Sequence, residues 1–241
     1  MQIALSELPF PLFHGTSTLF LNDIQAGGLG AKNPLLELEI IEFIKLIMPL
    51  IDEHLSETDT YLNHRGTFGL MAEQFTSSQG FNFQHGQTYL SPAKPTAIRY
   101  AVNKRYGSEL LTYALEFLRM LVEKRLPVVV SELFARFPQV FELLNLSRSP
   151  VLIRAERVQM FQVLTERGDD PLPQVRQLTA YLKEDRGFIE IVGQQSNFRL
   201  MAPVMPQQLT VWLINVIQLK PFKPEYTLHR IGPREHLGAD T

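Results

Sequence analysis

Hydrophobic and polar positions fall into three regimes along the chain. The opening run PLFHG is short and apolar and stops at a glycine, which predicts a strand from about Pro11 to His14. From Thr18, the apolar positions Leu19, Phe20, Ile24 and Leu29 fit a short helix behind a Ser or Thr cap, with Gly27, Gly28 and Gly30 closing it. Between residues 34 and 57, Leu35, Leu38, Ile41, Phe43, Leu46 and Leu50 mark a strong helical stripe. Residues 58–86 are polar, aromatic and glycine-containing without a sustained period. They predict a long loop with one short helix, and loops of that length in compact domains often carry function.

The middle of the chain is mostly helical. QTYLS (87–91) reads as a brief strand that Pro92 stops, and residues 95–106 as a helix with proline near its start and Gly107 at its end. Residues 108–124 keep a helical pattern, with a strand at their beginning as the alternative, and 128–185 predict more helix broken by turns at Pro138, SRSP (147–150) and GDDPLP (168–173). The tail then changes period. GFIEIVG (187–193), NFRLMAPV (197–204) and LTVWLINVIQL (209–219) are short β-branched or aromatic runs between polar turns, which are strand signals. Strands at both ends and near residue 89, with helices between them, predict an α+β class. The expectation is one domain over residues 1–241 with helical insertions at about 32–80 and 117–185.

Composition narrows the chemistry. The 241 residues include no cysteine, so disulfides, thiolate zinc sites and thiol nucleophiles are excluded, and a cytoplasmic location is expected. A net charge of −2 gives no global attraction to nucleic acid or anionic lipid. The N-terminus lacks the basic and apolar regions of a signal peptide. The most apolar stretch, 35–51, is interrupted by Glu37, Glu39, Glu42, Lys45 and Pro49, so no membrane partner is expected.

Several familiar site patterns are missing. His54, His64 and His85 lack metal-ligand spacing, and GGLG lacks the spacing of a dinucleotide-binding turn. No nucleophile elbow or P-loop occurs. Arg99, Lys104 and Arg105, and separately Arg148, Arg154 and Arg157, are basic sets of the kind usually solvated on a surface, although forked arginine donors also suit phosphates.

One constellation remains. His14, Gly15 and Thr16 end the first strand, Tyr89 and Ser91 lie on the second, and Tyr100 stands in the following helix, eleven residues after Tyr89. HGT at a strand end, then TYLS, then a helix carrying AIRYA, resembles the ADP-ribosyltransferase fold in its diphtheria-toxin-like and poly(ADP-ribose) polymerase-like branch.

That resemblance implies a split β-sheet with NAD bound in a cleft between its halves. By the same resemblance, His14 hydrogen-bonds a ribose hydroxyl, Gly15 grips the nicotinamide amide through its backbone beside Thr16, and Tyr89 and Tyr100 sandwich the nicotinamide ring. Two rings with a backbone clamp suit a flat aromatic amide. The family's third element is a glutamate at the start of a late strand, where it meets the positive charge that develops on the ribose. Here NFRLMAPVMPQQL puts Asn197 at that place, with Glu190 on the preceding run as an equal candidate and Gln195 behind them. The polymerases carry a serine eight residues after the first tyrosine, whereas this chain has Ala97, with Ser91 and Thr96 as nearby hydroxyls. The implied activity is transfer of ADP-ribose from NAD to a protein or nucleic-acid acceptor with release of nicotinamide. The alternatives are a module of the same fold that binds NAD or ADP-ribose without turnover, and a toxin or defence enzyme acting on nucleic acid.

Overall fold

The computed structural model describes residues 6–74, 86–184, 187–220 and 224–232. In chain order they form β1 (Leu12–Ser17), α1 (Leu21–Gly27), α2 (Pro34–Glu37), α3 (Ile40–His54), α4 (Asp59–Ala72), β2 (Tyr89–Leu90) and α5 (Lys94–Asn103). There follow α6 (Glu109–Glu123), α7 (Pro127–Arg136), α8 (Pro138–Asn145), β3 (Pro150–Ala155), β4 (Val163–Thr165), α9 (Leu172–Glu184), α10 (Phe188–Val192), β5 (Phe198–Leu200), β6 (Leu209–Gln218) and β7 (Glu225–Ile231). The class is α+β, with two antiparallel sheets. Among the described residues no helix is long and apolar enough to cross a membrane.

The chain divides into two compact units. One comprises Met1–Lys32, Gln87–Gly107 and Arg148–Thr241, and holds every described strand. Its sheets run β1-β3-β6-β7 and β2-β5-β4. Alternation along β1 and β3 sorts their side chains onto two faces. Leu12, Val151, Ile153 and Ala155 join a core that also takes Leu90, Phe198 and Leu200 from the second sheet and Val175 and Leu178 from α9. On the other face Phe13, Leu152, Trp212 and Ile214 pack with Ala97, Ile98 and Ala101 of α5.

The other unit, Asn33–Gly86 and Ser108–Ser147, is helical. In α3 the buried positions Ile40, Phe43, Ile44, Ile47 and Ile51 recur at three and four residues, as an amphipathic helix requires. In α6, Ser108 caps the first turn by accepting from Leu111 N at 3.1 Å. The polar stretch after residue 58 forms α4, a longer helix than its pattern predicts. Thr58 caps it, only Phe68, Met71 and Ala72 are buried, and Arg65 grips Asp52 with Nε and Nη2 at 2.6 and 2.8 Å. Local capping and one forked ion pair stand in for an apolar face. Residues 75–85, including His85, lie outside the described residues.

Two sequence expectations are corrected. GFIEIVG is not a strand: residues 188–192 form α10, with Ile189 turned into the core and Glu190 exposed. The β-branched residues there pack as one helical turn, because β-propensity yields to tertiary context. The region 128–185 is not mainly helix after residue 149, since it contains β3 and β4. PVLIRA is a central strand between β1 and β6, and a strand buried on both faces has no alternation to reveal it. NFRLMAPV shortens to β5, LTVWLINVIQL is β6, and β7 adds an edge strand that no pattern announced.

Candidate functional site

Besides the core they share, the two sheets of the strand unit are linked among the described residues by one backbone bridge. Phe13 N donates to Ser91 O at 2.7 Å and Ser91 N donates to Phe13 O at 2.8 Å, an isolated bridge between β1 and the end of β2. His14 follows Phe13 at the point where the sheets split. Its Nδ1 lies 2.9 Å from the carbonyl oxygen of Tyr89, 75 positions away in sequence. A carbonyl only accepts, so Nδ1 carries the proton and the neutral ring presents Nε2 as an acceptor. Burial pushes the imidazole below its ordinary pKa, more strongly than the Tyr89 hydrogen bond raises it. The neutral, acceptor form is therefore the one favoured at neutral pH.

Gly15 has two structural consequences. Phe13 directs its N–H and C=O toward β2, and alternation turns those of Gly15 the same way, past the bridge. Among the described residues neither group makes a backbone bond across that gap. The Cα side of Gly15 faces α5, where an added Cβ would stand 2.0 Å from Ala97 O and 2.9 Å from Ala101 N. Close helix packing thus requires glycine here, whatever else its backbone does. Ala97 is buried in the apolar cluster under α5.

The remaining residues fall around this point. Continuing the Phe13–Ser91 register places Tyr89 opposite Gly15, and Tyr100 directly precedes the Ala101 that approaches Gly15. Both tyrosines are half-buried. Ser91 is buried, with its Oγ accepting from Ala93 N at 3.2 Å and donating to Gly193 O at 3.4 Å, so its hydroxyl holds the turn into α5. Thr96, in the first turn of α5, has an enclosed Oγ1 with no partner among the described residues. Thr16 is buried, and its Oγ1 lies 2.9 Å from where a Cβ on Gly107 would sit, a position whose φ of +82° also favours glycine.

For the third position, Asn197 directly precedes β5. The pairs Leu90↔Phe198 and Tyr89↔Arg199 set it opposite Ser91. Its Nδ2 donates to Glu166 Oε2 at 3.0 Å, and its carbonyl accepts from Glu166 N at 3.2 Å. Glu190 is carried elsewhere, exposed on α10, and Gln195 is exposed in the short turn Gly193–Gln195.

Two neighbours escaped sequence reasoning. Arg199 shares the face of Tyr89 and lies over Gly168, whose added Cβ would be 3.0 Å from Nη2; its Nε is enclosed without a partner among the described residues. The alternation in NFRL contains the signal for Arg199. Glu166 gave none, because its strand lay in a region read as helix. Of the basic sets, Arg148 stacks over the Tyr106 ring at 4.1 Å and Arg154 pairs with Glu156 at 2.6 Å. No group of three metal-ligating side chains occurs among the described residues. Comparison with known protein families, curated proteins and solved structures found no match to this chain.

Proposed function

We propose that the protein binds NAD at the split between its two sheets and transfers ADP-ribose to an acceptor. The observation that carries this reading is the His14–Tyr89 hydrogen bond, which unites the two sequence motifs beside the Phe13–Ser91 bridge between the sheets. His14 Nε2 accepts a ribose hydroxyl. The N–H and C=O of Gly15 meet the donor and acceptor of the nicotinamide carboxamide, and Tyr89 and Tyr100 flank the ring. Held so, the bond from ribose C1′ to the nicotinamide nitrogen is oriented for cleavage. The electron pair leaves with nicotinamide, an oxocarbenium-like ribosyl group develops, and an acceptor nucleophile bonds to C1′ and loses its proton.

Titration with NAD, together with nicotinamide release followed by NMR, tests this reading for the wild type and His14→Ala. Expected are binding and release in the wild type, with at least a tenfold loss in the variant, the weight of about 1.4 kcal/mol. A wild type that does not bind NAD overturns it. A second reading, binding without turnover, is favoured by the amide of Asn197 where a charged group would serve a transferase. Binding without release in the presence of candidate acceptors is its signature.

A further inference from the structure

Resting on the NAD reading, we infer that Glu166 supplies the carboxylate of this site and that Asn197 positions it. An amide carries no charge with which to offset a ribosyl cation, whereas a carboxylate fixed nearby does. The register of β4 against β5 runs Val163↔Leu200, Leu164↔Arg199, Thr165↔Phe198. Its next step sets Glu166 opposite Asn197, and the Glu166 N to Asn197 O bond of 3.2 Å extends the ladder there. Glu166, Asn197 and Ser91 therefore form a row across three strands, on the face that also bears Tyr89.

The side chains make the link specific. Asn197 Nδ2 donates to Glu166 Oε2 at 3.0 Å, which draws the carboxylate toward β5 and the bridge. Glu166 is half-buried, so its charge is shielded less than on an open surface yet stays accessible to a ligand. The fold thus divides between two residues what one glutamate on β5 would do alone. Asn197 occupies the strand position and Glu166, one strand out, carries the charge. In the transfer step Glu166 faces the cation left at C1′ when the bond to nicotinamide breaks, and takes the proton that the acceptor loses on bonding to C1′.

The test is NAD binding and nicotinamide release, measured side by side for wild type, Glu166→Gln, and Glu166→Gln combined with Asn197→Glu, each checked for an unchanged thermal midpoint. The isosteric Glu166→Gln keeps a hydrogen-bond partner for Asn197. It is expected to bind NAD within threefold of wild type and to release nicotinamide about a hundredfold more slowly, the order seen when one transition-state contact is removed. Moving the carboxylate onto β5 in the double variant is expected to restore release at least tenfold. Release that survives Glu166→Gln overturns the assignment while leaving the NAD reading standing. Loss without restoration makes Glu166 only a brace for Asn197 and also overturns it, as does a wild type that binds NAD without releasing nicotinamide. A wild type that does not bind NAD removes the reading itself.

Discussion

Replacing Gly15 by alanine separates packing from ligand binding. The new Cβ would lie 2.0 Å from the Ala97 carbonyl oxygen and 2.9 Å from both Ala97 C and Ala101 N. Carbon and oxygen in contact stand about 3.3 Å apart, so the carbonyl must retreat by roughly 1.3 Å. That carbonyl belongs to the backbone of α5 and Gly15 to β1, which is paired with β3 along its whole length, so no flexible side chain absorbs the strain. The retreat lifts Ala97, Ile98 and Ala101 off Leu152 and Ile214. Overpacking a well-filled core costs about 1–3 kcal/mol, and a backbone-on-backbone clash belongs at the upper end. About 3 kcal/mol lowers the melting midpoint of a chain this size by roughly 6–12 °C. Gly66→Ala is the control. It lies within α4 with nothing within 4 Å of the added Cβ, so it stabilises by up to about 1 kcal/mol through helix propensity. Thermal and urea melts of both variants without ligand decide the matter. A Gly15→Ala variant within 0.5 kcal/mol of wild type, in either direction, would refute the close approach of α5.

Further consequences are measurable. The folded state holds the pKa of His14 below its ordinary 6.5, so the unfolded chain takes up the proton first on acidification. The stability that the neutral ring contributes is full above pH 6.5 and is lost as the pH falls below it. Urea melts at pH 7.5, 6.5 and 5.5 are expected to fall more steeply for wild type than for His14→Gln, and equal slopes refute the buried neutral ring. In the helical unit, hydrogen bonding by Arg65 holds the Asp52 carboxyl below its usual range. Both partners are partly exposed, so Arg65→Ala costs no more than about 1 kcal/mol and less in high salt. Ser108→Ala removes the cap of α6 and costs about 1 kcal/mol in a urea melt, whereas Ser108→Gly costs only a few tenths.

The legibility of the sequence followed its local physics. A strand at PLFHG was readable from its apolar run, although β1 passes through HGT and ends only at Ser17, and QTYLS was readable because Pro92 stops the strand. β3 was hidden by its own burial, since PVLIRA lies between two strands and carries apolar residues on both faces. Losing β3 and β4 concealed Glu166, whose hydrogen bond to Asn197 at the start of β5 depends on the pairing of β4 with β5. GFIEIVG misled because β-branched residues suit a strand by composition, while the core accepted Ile189 from a helical turn. At Gly15 the family resemblance implied a backbone contact with a ligand, and the structure adds a helix lying against the same residue.

The points where the chain leaves and rejoins the strand unit bear on how that unit can be assembled. Asn33 Nδ2 donates to Gly86 O at 2.8 Å, so the excursion 33–86 opens and closes at one place. The second excursion is flanked by Tyr106 and Arg148, whose ring and guanidinium stack at 4.1 Å. Once the Asn33–Gly86 clasp forms, His14 and Tyr89, 75 positions apart, are joined by what is in effect a short connection. The entropy of closing a loop grows with its effective length, so helices that fold early lower the cost of bringing the strands together. The same clasps allow each excursion to lengthen or shorten over evolution while the separation of the two site segments stays constant.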